Sequence, residues 1–231
     1  MSLDFVIVTA TRDSLITIKK CIEKIKEFTE GNYLHIVADD SSSLETLTYL
    51  RSLEHIKLFE YRGDKNPHLN IVMKMAFDYA FALNPKYIFT VESDVYVTFE
   101  WNKKLIKAIE SKEDAAGVTS VTVGEKKQIT APMGNDLPPD WKRKWIVDTF
   151  NDVVKMKKHL TFCCSIFKTE FCKQIDFVKE NRVAGVDVRY SAQLRNLGYN
   201  LYVDLGTYVY HPSPHSSRRE WKEKTNRGRI S

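Results

Sequence analysis

An acid pair, Glu92 and Asp94, directly follows the apolar segment from Tyr87 to Val91. The residue between them, Ser93, is small, so both carboxylates can point the same way where the chain turns at the end of a strand. Divalent cations such as Mg²⁺ and Mn²⁺ prefer oxygen ligands, and Mg²⁺ is commonly bound by one or two carboxylates together with substrate phosphates. The pair therefore predicts a divalent metal site. The alternative is that both side chains only begin a solvated loop.

Two later residues have side chains that could join such a site. Asp187 lies at or just before the start of a predicted helix, where its carboxylate could take a proton or could simply cap the helix. His211 follows a segment of β-branched and aromatic residues and precedes Pro212. A single histidine is more often a structural hydrogen-bonding residue than a ligand, so neither residue identifies a site by itself.

Alternating strand and helix patterns in the first half of the chain would position these residues. Apolar β-type segments predict strands at Asp4 to Thr9, Tyr33 to Ala38, Ile56 to Tyr61 and Tyr87 to Val91. Apolar residues at helical spacing predict helices between them, including one from Leu69 to Leu83. This order predicts an α/β fold with a mainly parallel central sheet and helices on both faces.

Polar residues lie at the ends of three of these strands. They are Thr9 to Thr11 at the first strand, Asp39 and Asp40 at the second, and Glu92 to Asp94 at the fourth. Ligands of such sheets bind beyond the carboxyl ends of the strands. The three clusters are therefore expected to line one cleft.

The second half of the chain has less regular patterns. The predicted elements are a helix from Phe99 to Glu110, strands from Val118 to Val123 and Leu160 to Phe167, a helix from Val186 to Leu197, and short strands from Tyr199 to Val203 and Thr207 to His211. Residues 124–158 show no clear periodicity, which is typical of a binding loop or of a weakly patterned helix pair. The chain has 231 residues, 43% of them hydrophobic, and it shows no internal repeat or linker, so we expect a single domain.

The apolar segments and the cysteines indicate a cytoplasmic protein. No segment approaches the about 18 apolar residues that a membrane-spanning helix requires. The N-terminal apolar segment, Phe5 to Val8, is too short for a signal peptide. The four cysteines show no CxxC spacing, and Cys163 and Cys164 are adjacent in an apolar run, which favours buried free thiols over zinc ligands or disulfides.

The formal net charge of +5 is modest, and much of the excess lies near the C-terminus. The basic residues there are Arg218, Arg219, Lys222, Lys224, Arg227 and Arg229. Such a cluster fits phosphate groups, the acidic lipids of a membrane surface or nucleic acid, and the alternative is a solvated tail. Peripheral membrane contact is thus compatible with the sequence, whereas nucleic acid is not the expected partner because only this tail favours it.

Taken in this order, the segments resemble the inverting GT-A glycosyltransferases, namely the family-two group and its rhamnosyltransferase-like relatives. The resemblance extends from the strand at Phe5 to Thr9 as far as His211. It includes the acid at the second strand end, the metal motif at the fourth, and the Val186-Asp187 position that opens a helix followed by Leu194 to Tyr199. The resemblance implies the GT-A (nucleotide-diphospho-sugar transferase) fold, a nucleotide-diphospho-sugar donor, Mn²⁺ or Mg²⁺, and transfer of a sugar, expected to be a hexose, with inversion.

The resemblance also implies a role for each candidate residue. Asp94 would be the chief metal ligand, with Glu92 nearby or acting through water and His211 as a further ligand, and Asp187 would be the general base. The implied nucleotide-binding residues are Thr9, Thr11, Arg12, Asp39, Asp40, Asn70, Lys74 and Ser93, and Arg218 and Arg219 would close over the phosphates as a lid. The single GT-A domain, residues 1–231, would comprise a nucleotide-sugar-binding half (1–98), an acceptor-binding half (99–211) and a basic tail or lid (212–231).

Two positions depart from the family pattern and support an alternative. Glu92 stands where aspartate is usual, and Val186 stands where the first acid of a pair is common. The alternative is a degenerate GT-A module that binds a nucleotide or a partner protein without transfer. Nucleotidyltransferases, dinucleotide enzymes and P-loop proteins are disfavoured, because Thr9 to Ser14 contains no glycine. The residues do not specify the sugar, the base, the oligomeric state or the acceptor, which could be a glycan, a lipid, a protein or a small molecule.

Overall fold

The computed structural model describes residues 3–63, 69–124, 129–131, 152–157, 159–175 and 185–212. Its strands are β1 (Phe5–Thr11), β2 (Tyr33–Asp40), β3 (Ile56–Tyr61), β4 (Tyr87–Val91), β5 (Ala115–Val123), β6 (Ile129–Ala131), β7 (Val153–Lys155), β8 (Cys164–Lys168) and β9 (Asn200–Tyr210). Its helices are α1 (Leu15–Phe28), α2 (Leu44–Arg51), α3 (Leu69–Leu83), α4 (Trp101–Glu110), α5 (Thr169–Cys172) and α6 (Val186–Asn196). The structure confirms the predicted α/β class and the predicted bounds of α3.

The strands form one sheet in the order β3-β2-β1-β4-β8-β5-β9-β7, and β6 pairs with β5. The pairs β3–β2, β2–β1, β1–β4 and β5–β9 are parallel. Strand β8 lies between β4 and β5 and is antiparallel to both. Because two antiparallel steps restore the original direction, β1, β2, β4, β5 and β9 all end at the same edge of the sheet.

Side chains of β1 alternate between two helical layers, as expected for a strand with period two. Val6 and Val8 belong to a buried cluster with residues of α3 and α6, including Phe77 and Tyr190. On the other face, Phe5 and Ile7 pack in a cluster with residues of α1 and α4, namely Cys21, Ile25, Trp101 and Leu105. A strand covered on both faces is apolar along most of its length, which explains its β-branched and aromatic sequence.

Three predicted boundaries in the second half were wrong. The two short strands predicted before His211 are one strand, β9, whose register on β5 shifts between the pairs Ser120–Asp204 and Val121–Tyr208. The Asp204 carboxylate closes this bulge by accepting hydrogen bonds from the Gly206 N–H and the Thr207 hydroxyl. Strand β8 begins at Cys164 rather than Leu160, although the apolar residues before it are still buried. Helix α4 begins at Trp101, because Glu100 before it has a left-handed backbone (φ 58°) that ends the preceding turn.

The remaining boundary differences are small. Strand β5 begins at Ala115, three residues before the predicted Val118, and α6 ends at Asn196. Most of residues 124–158 lie outside the described residues, apart from β6 and the segment that contains β7. None of the helices in the described part of the chain combines the length and apolar character that a membrane crossing requires.

Candidate metal and nucleotide site

Glu92, Asp94 and His211 come together at the carboxyl edge of the sheet. Each offers one ligand atom, and these atoms lie within 4.8 Å of one another. The His211 Nε2 atom is 3.2 Å from Asp94 Oδ2. Two carboxylates and one imidazole are oxygen and nitrogen donors that suit Mn²⁺ and similar divalent cations. The predicted metal residues thus form one cluster in this structure.

Backbone hydrogen bonds explain how residues so far apart in sequence meet. The chain turns after β4, where the Val95 N–H donates to the Glu92 carbonyl (3.0 Å). Tyr96 and Tyr210 then exchange two backbone hydrogen bonds of 2.8 and 2.9 Å, which place the segment after Asp94 beside the end of β9. The backbone N–H of His211 donates to the Val123 carbonyl (2.8 Å), which fixes the backbone of His211 at the position from which its imidazole lies beside the acid pair.

The electrostatics of the cluster favour a bound cation. Burial, followed by the negative charge of Asp94, raises the pKa of Glu92 to about 7. Burial alone would lower the pKa of His211, but the hydrogen bond and the charge of Asp94 outweigh it and raise that pKa. A divalent cation between these groups would relieve the repulsion between the carboxylates, so the donor set fits the metal that the sequence predicts.

A second polar cluster lies at the ends of β1 and β2. The Asp39 side chain is buried, and its Oδ1 atom accepts a hydrogen bond from the Ser42 N–H (3.1 Å). Its Oδ2 atom is also buried and has no hydrogen-bond partner in the described part of the chain. Arg12 Nη1 lies 3.5 Å from Asp40 Oδ2. Burial raises the pKa of Asp39. One of its two carboxylate oxygens accepts a hydrogen bond from the described residues, and the other is a buried acceptor that a ligand could use.

Hydroxyl groups connect the end of β1 to the acid pair. Thr11 Oγ1 lies 2.9 Å from Ser14 Oγ, and Ser14 Oγ donates to Ser93 Oγ at 3.2 Å. Ser93 lies between Glu92 and Asp94, so these three hydroxyl groups link the two polar clusters. Ser14 has no role in the sequence prediction, because a serine before a helix is first of all a capping residue.

Asp187 lies in the first turn of α6, and Gly185, with a left-handed backbone (φ 81°), is the residue that caps the helix. The Asp187 Oδ1 atom accepts a hydrogen bond from the Val188 N–H (2.9 Å). Asp187 is close enough to Glu92 for its charge to contribute to the raised pKa of Glu92. The predicted general base is therefore near the metal cluster, on a different element. Arg218 and Arg219 lie outside the described residues.

A family comparison identifies the chain. The sequence model described as glycosyl transferase family 2 matches residues 5–176. The chain belongs to this family. A search of curated protein sequences finds no match. The matched range includes the Asp39 cluster and the acid pair, whereas Asp187 and His211 lie beyond it.

Solved structures share the fold of this family 2 chain at low sequence identity. A GalNAc-T7 structure with UDP, GalNAc and Mn²⁺ has 15% identity and a TM-score of 0.70, over 92% of this chain and 44% of its own. A mannosyltransferase, PcManGT from Pyrobaculum calidifontis, in complex with GDP-Man and Mn²⁺, has 13% identity and a TM-score of 0.64, over 100% and 66%. S. aureus TarS 1-349 has 16% identity and a TM-score of 0.61, over 95% and 63%. The chain thus spans less than two thirds of the length of each of these structures, and the likeness confirms the GT-A fold.

Thr9, Lys74 and Asn70 were predicted to bind the nucleotide, and the structure of the family 2 chain gives the surroundings of each. Thr9 is buried in the sheet, where its Oγ1 atom is 2.9 Å from His35 Nε2. Lys74 forms an exposed ion pair with Asp78 on α3 (2.7 Å). Asn70 is buried at the start of the same helix. Their predicted contacts with the nucleotide stay predictions.

The buried His35 beneath Thr9 makes the stability of the fold depend on pH. Burial, with a smaller effect from His55, lowers the pKa of His35 from 6.5 to about 3. Between these values the unfolded chain binds a proton that the folded chain does not. The stabilisation that the neutral form of His35 gives to the folded chain is therefore complete above pH 6.5 and is lost as the pH falls. We expect the free energy of unfolding to drop by about 2 kcal/mol from pH 7.5 to 5.0 through this residue.

Urea unfolding of the wild type and of His35→Gln at both pH values measures this effect. Glutamine can still hydrogen-bond Thr9 but does not take up a proton in this range. The His35→Gln variant should lose less stability on acidification than the wild type, and an equal loss in both proteins would contradict the prediction.

Proposed function

We propose that the chain transfers a sugar, expected to be a hexose, from a nucleotide-diphospho-sugar to an acceptor hydroxyl with inversion, assisted by Mn²⁺ or Mg²⁺. The observation that carries the proposal is the meeting of Glu92, Asp94 and His211 at the sheet edge that also holds Asp39. Membership of glycosyl transferase family 2 supports the reaction class. The GalNAc-T7 and PcManGT structures hold UDP or GDP-Man with Mn²⁺, which supports the donor class and the metal.

Asp94 and His211 are the proposed metal ligands, with Glu92 as the third. A cation bound there would supply charge neutralisation to the departing diphosphate. His211 Nε2 lies 3.2 Å from Asp94 Oδ2, so these two proposed ligands are already adjacent before a cation or a donor binds. The Ser14 hydroxyl donates a hydrogen bond to Ser93 and so restrains the turn between the two acids.

Asp39 is the proposed contact for the base of the donor nucleotide. A buried carboxylate oxygen without a partner is costly, and a ligand N–H group that donates to it would remove this cost. Arg12 lies 3.5 Å from Asp40 at the same edge, and its positive charge would favour the diphosphate of a bound donor. These contacts select for a nucleotide and leave the identity of its sugar open.

Asp187 is the proposed general base. Its carboxylate would take the proton of the acceptor hydroxyl as that oxygen bonds to the anomeric carbon and the bond from this carbon to the diphosphate oxygen breaks. The nucleoside diphosphate leaves from the opposite face, so the configuration inverts. Such a base must reach the acceptor oxygen, and the first turn of a helix is a rigid support for it.

The second candidate function is a degenerate module that binds nucleotide without transfer. Its basis is Val186, which replaces an acid common at this position. Val186 is buried in the cluster that contains Tyr190 and Leu194, so its apolar side chain has a packing role. This packing role agrees with either function, so the turnover of a bound donor decides between the enzyme and the module.

A thermal-shift screen of nucleotide sugars, with Mn²⁺ or with EDTA, tests the proposal. A donor at about 100 times its Kd should stabilise the folded chain by about 2.7 kcal/mol, and the melting temperature should rise only when Mn²⁺ is present. Transfer to supplied acceptors should then give a product whose anomeric NMR signals show inversion.

Each alternative outcome has a clear meaning. If no nucleotide sugar raises the melting temperature with Mn²⁺, the donor assignment is wrong. Metal-dependent binding without hydrolysis or transfer would support the degenerate module. A product with retained configuration would overturn the mechanism while leaving the donor site intact.

A further inference from the structure

The thiol of Cys163 lies directly beside the metal cluster. Cys163 precedes β8, and β8 pairs with β4 so that Cys164 lies opposite Val91. This register places Cys163 opposite Glu92. The sequence predicts only a buried thiol at Cys163, because Cys163 and Glu92 are 71 positions apart and no local pattern relates them.

Cys163 contacts Glu92 at two points. The Glu92 N–H donates to the Cys163 carbonyl oxygen (3.1 Å), and the Cys163 Sγ–H donates to Glu92 Oε2 (3.3 Å). A third contact comes from Cys21, whose thiol donates to the Glu92 carbonyl oxygen at 3.5 Å. Glu92 is therefore fixed in both its backbone and its carboxylate, and one carboxylate oxygen is engaged by a thiol.

The charges around Glu92 show why such a contact would matter. The Glu92 and Asp94 carboxylates lie close together, so a donor that fixes the direction of Glu92 Oε2 limits the positions in which the two side chains can share a cation. The thiol is the donor in this bond, because an ionised carboxylate only accepts. Side chains that hydrogen-bond a ligand residue typically change metal affinity by about 10- to 100-fold when they are removed.

We propose that Cys163 is a positioning residue of the metal site, whose thiol orients the Glu92 carboxylate toward Asp94 and His211 and so sets the affinity for the cation. The proposal rests on the proposed function, because it requires a cation at these three residues. Glutamate has one more rotatable side-chain bond than the aspartate that is usual at this position. The hydrogen bond from Cys163 restrains rotation about that bond.

Mn²⁺ titration of the full chain, followed by electron paramagnetic resonance without nucleotide, tests the proposal. Cys163→Ala should raise the Kd for Mn²⁺ by about 10-fold or more. Cys163→Ser should stay within about 3-fold of the wild type, because a hydroxyl also donates to the carboxylate. The matched control is Cys164→Ala, which removes the neighbouring buried thiol and should leave the Kd unchanged. Equal affinities for Cys163→Ala and wild type, or an equal loss in Cys164→Ala, would overturn the proposal.

A double-mutant cycle separates positioning from general disruption. In a Glu92→Ala background the orienting bond has no acceptor, so the further change Cys163→Ala should leave the Kd for Mn²⁺ the same. A further loss of about 10-fold in that background would show that Cys163 acts through another group and would refute the proposal.

A second variant keeps the proposal testable if Cys163→Ala does not fold. Cys163→Val fills the space of the thiol but offers no donor to Glu92 Oε2. It should raise the Kd for Mn²⁺ by about 10-fold or more, as Cys163→Ala should. A Kd equal to that of the wild type would count against the proposal.

The outcomes for the wild type distinguish this inference from the proposed function. If the wild type binds Mn²⁺ but Cys163→Ala binds it equally well, only the role of Cys163 is wrong. If the wild type binds Mn²⁺ and no nucleotide sugar, only the transferase function is wrong. If the wild type binds no Mn²⁺ at millimolar concentration, both are wrong.

Discussion

Asp94→Ala is expected to abolish the Mn²⁺-dependent part of nucleotide-sugar binding. Asp94 is the central member of the cluster, because it lies 3.2 Å from His211 and its charge raises the pKa of Glu92. Asp94→Ala removes one of the three proposed ligands, and Glu92 and His211 lose the carboxylate that lies beside both of them. Since loss of a side chain that only supports a ligand already costs about 10- to 100-fold in metal affinity, loss of the ligand itself should cost about 100-fold or more.

Isothermal titration of the donor with and without Mn²⁺ measures this loss. The matched control is Glu27→Ala, which removes an exposed carboxylate that pairs with Lys24 on α1 and should keep the metal dependence of the wild type. Asp94→Ala should bind the donor with the same weak affinity in Mn²⁺ and in EDTA. If Mn²⁺ still strengthens donor binding in Asp94→Ala as it does in the wild type, the metal lies elsewhere.

The parallel half of the fold could be predicted because its signals are local. Each strand from β1 to β4 is a short apolar segment, and α3 has helical periodicity over its entire length, so its bounds agree with the prediction. The clustering of Asp39 with Arg12 and Asp40 follows from parallel pairing alone, because strands that run in the same direction end at one edge. Local pattern thus determined most of the proposed donor side.

The second half depends on contacts that no local pattern contains. The antiparallel insertion of β8 between β4 and β5 brings Cys163 to Glu92, yet Leu160 to Phe167 reads simply as an apolar segment. His211 reaches Asp94 only because Tyr96 and Tyr210 pair across 114 positions of sequence (210 minus 96). Its position as a ligand was predictable only from the family resemblance.

Glu92 shows how the structure refines the interpretation of the acid pair. From the sequence, its longer side chain has a longer reach, and Glu92 is expected to lie near the metal or to act through water. In the structure its backbone is held by Cys163 and Cys21, and its carboxylate is held by Cys163. Glu92 is thus a restrained group, and this restraint favours direct contact with a cation over contact through water.

Asp187→Asn is expected to eliminate transfer while leaving donor binding intact. The substitution keeps the shape of the side chain and removes its ability to take a proton. Loss of a general base typically lowers the turnover rate by about 100- to 10,000-fold. The donor contacts proposed for Asp39 and the metal cluster lie on other elements, so the Kd for the nucleotide sugar in Mn²⁺ should change by less than about 3-fold.

The matched control for Asp187→Asn is Glu45→Gln, because Glu45 is also an acid in the first turn of a helix, α2. Both changes remove a negative charge that the helix dipole favours, a loss of about 0.5 kcal/mol, but only Asp187 lies near the metal cluster. Steady-state transfer assays and donor titrations on both variants separate the two effects. Wild-type turnover in Asp187→Asn would move the base to another residue. A parallel loss of donor affinity would instead make Asp187 part of the donor site, because a base that acts only on the acceptor hydroxyl has no contact to lose when the donor binds alone.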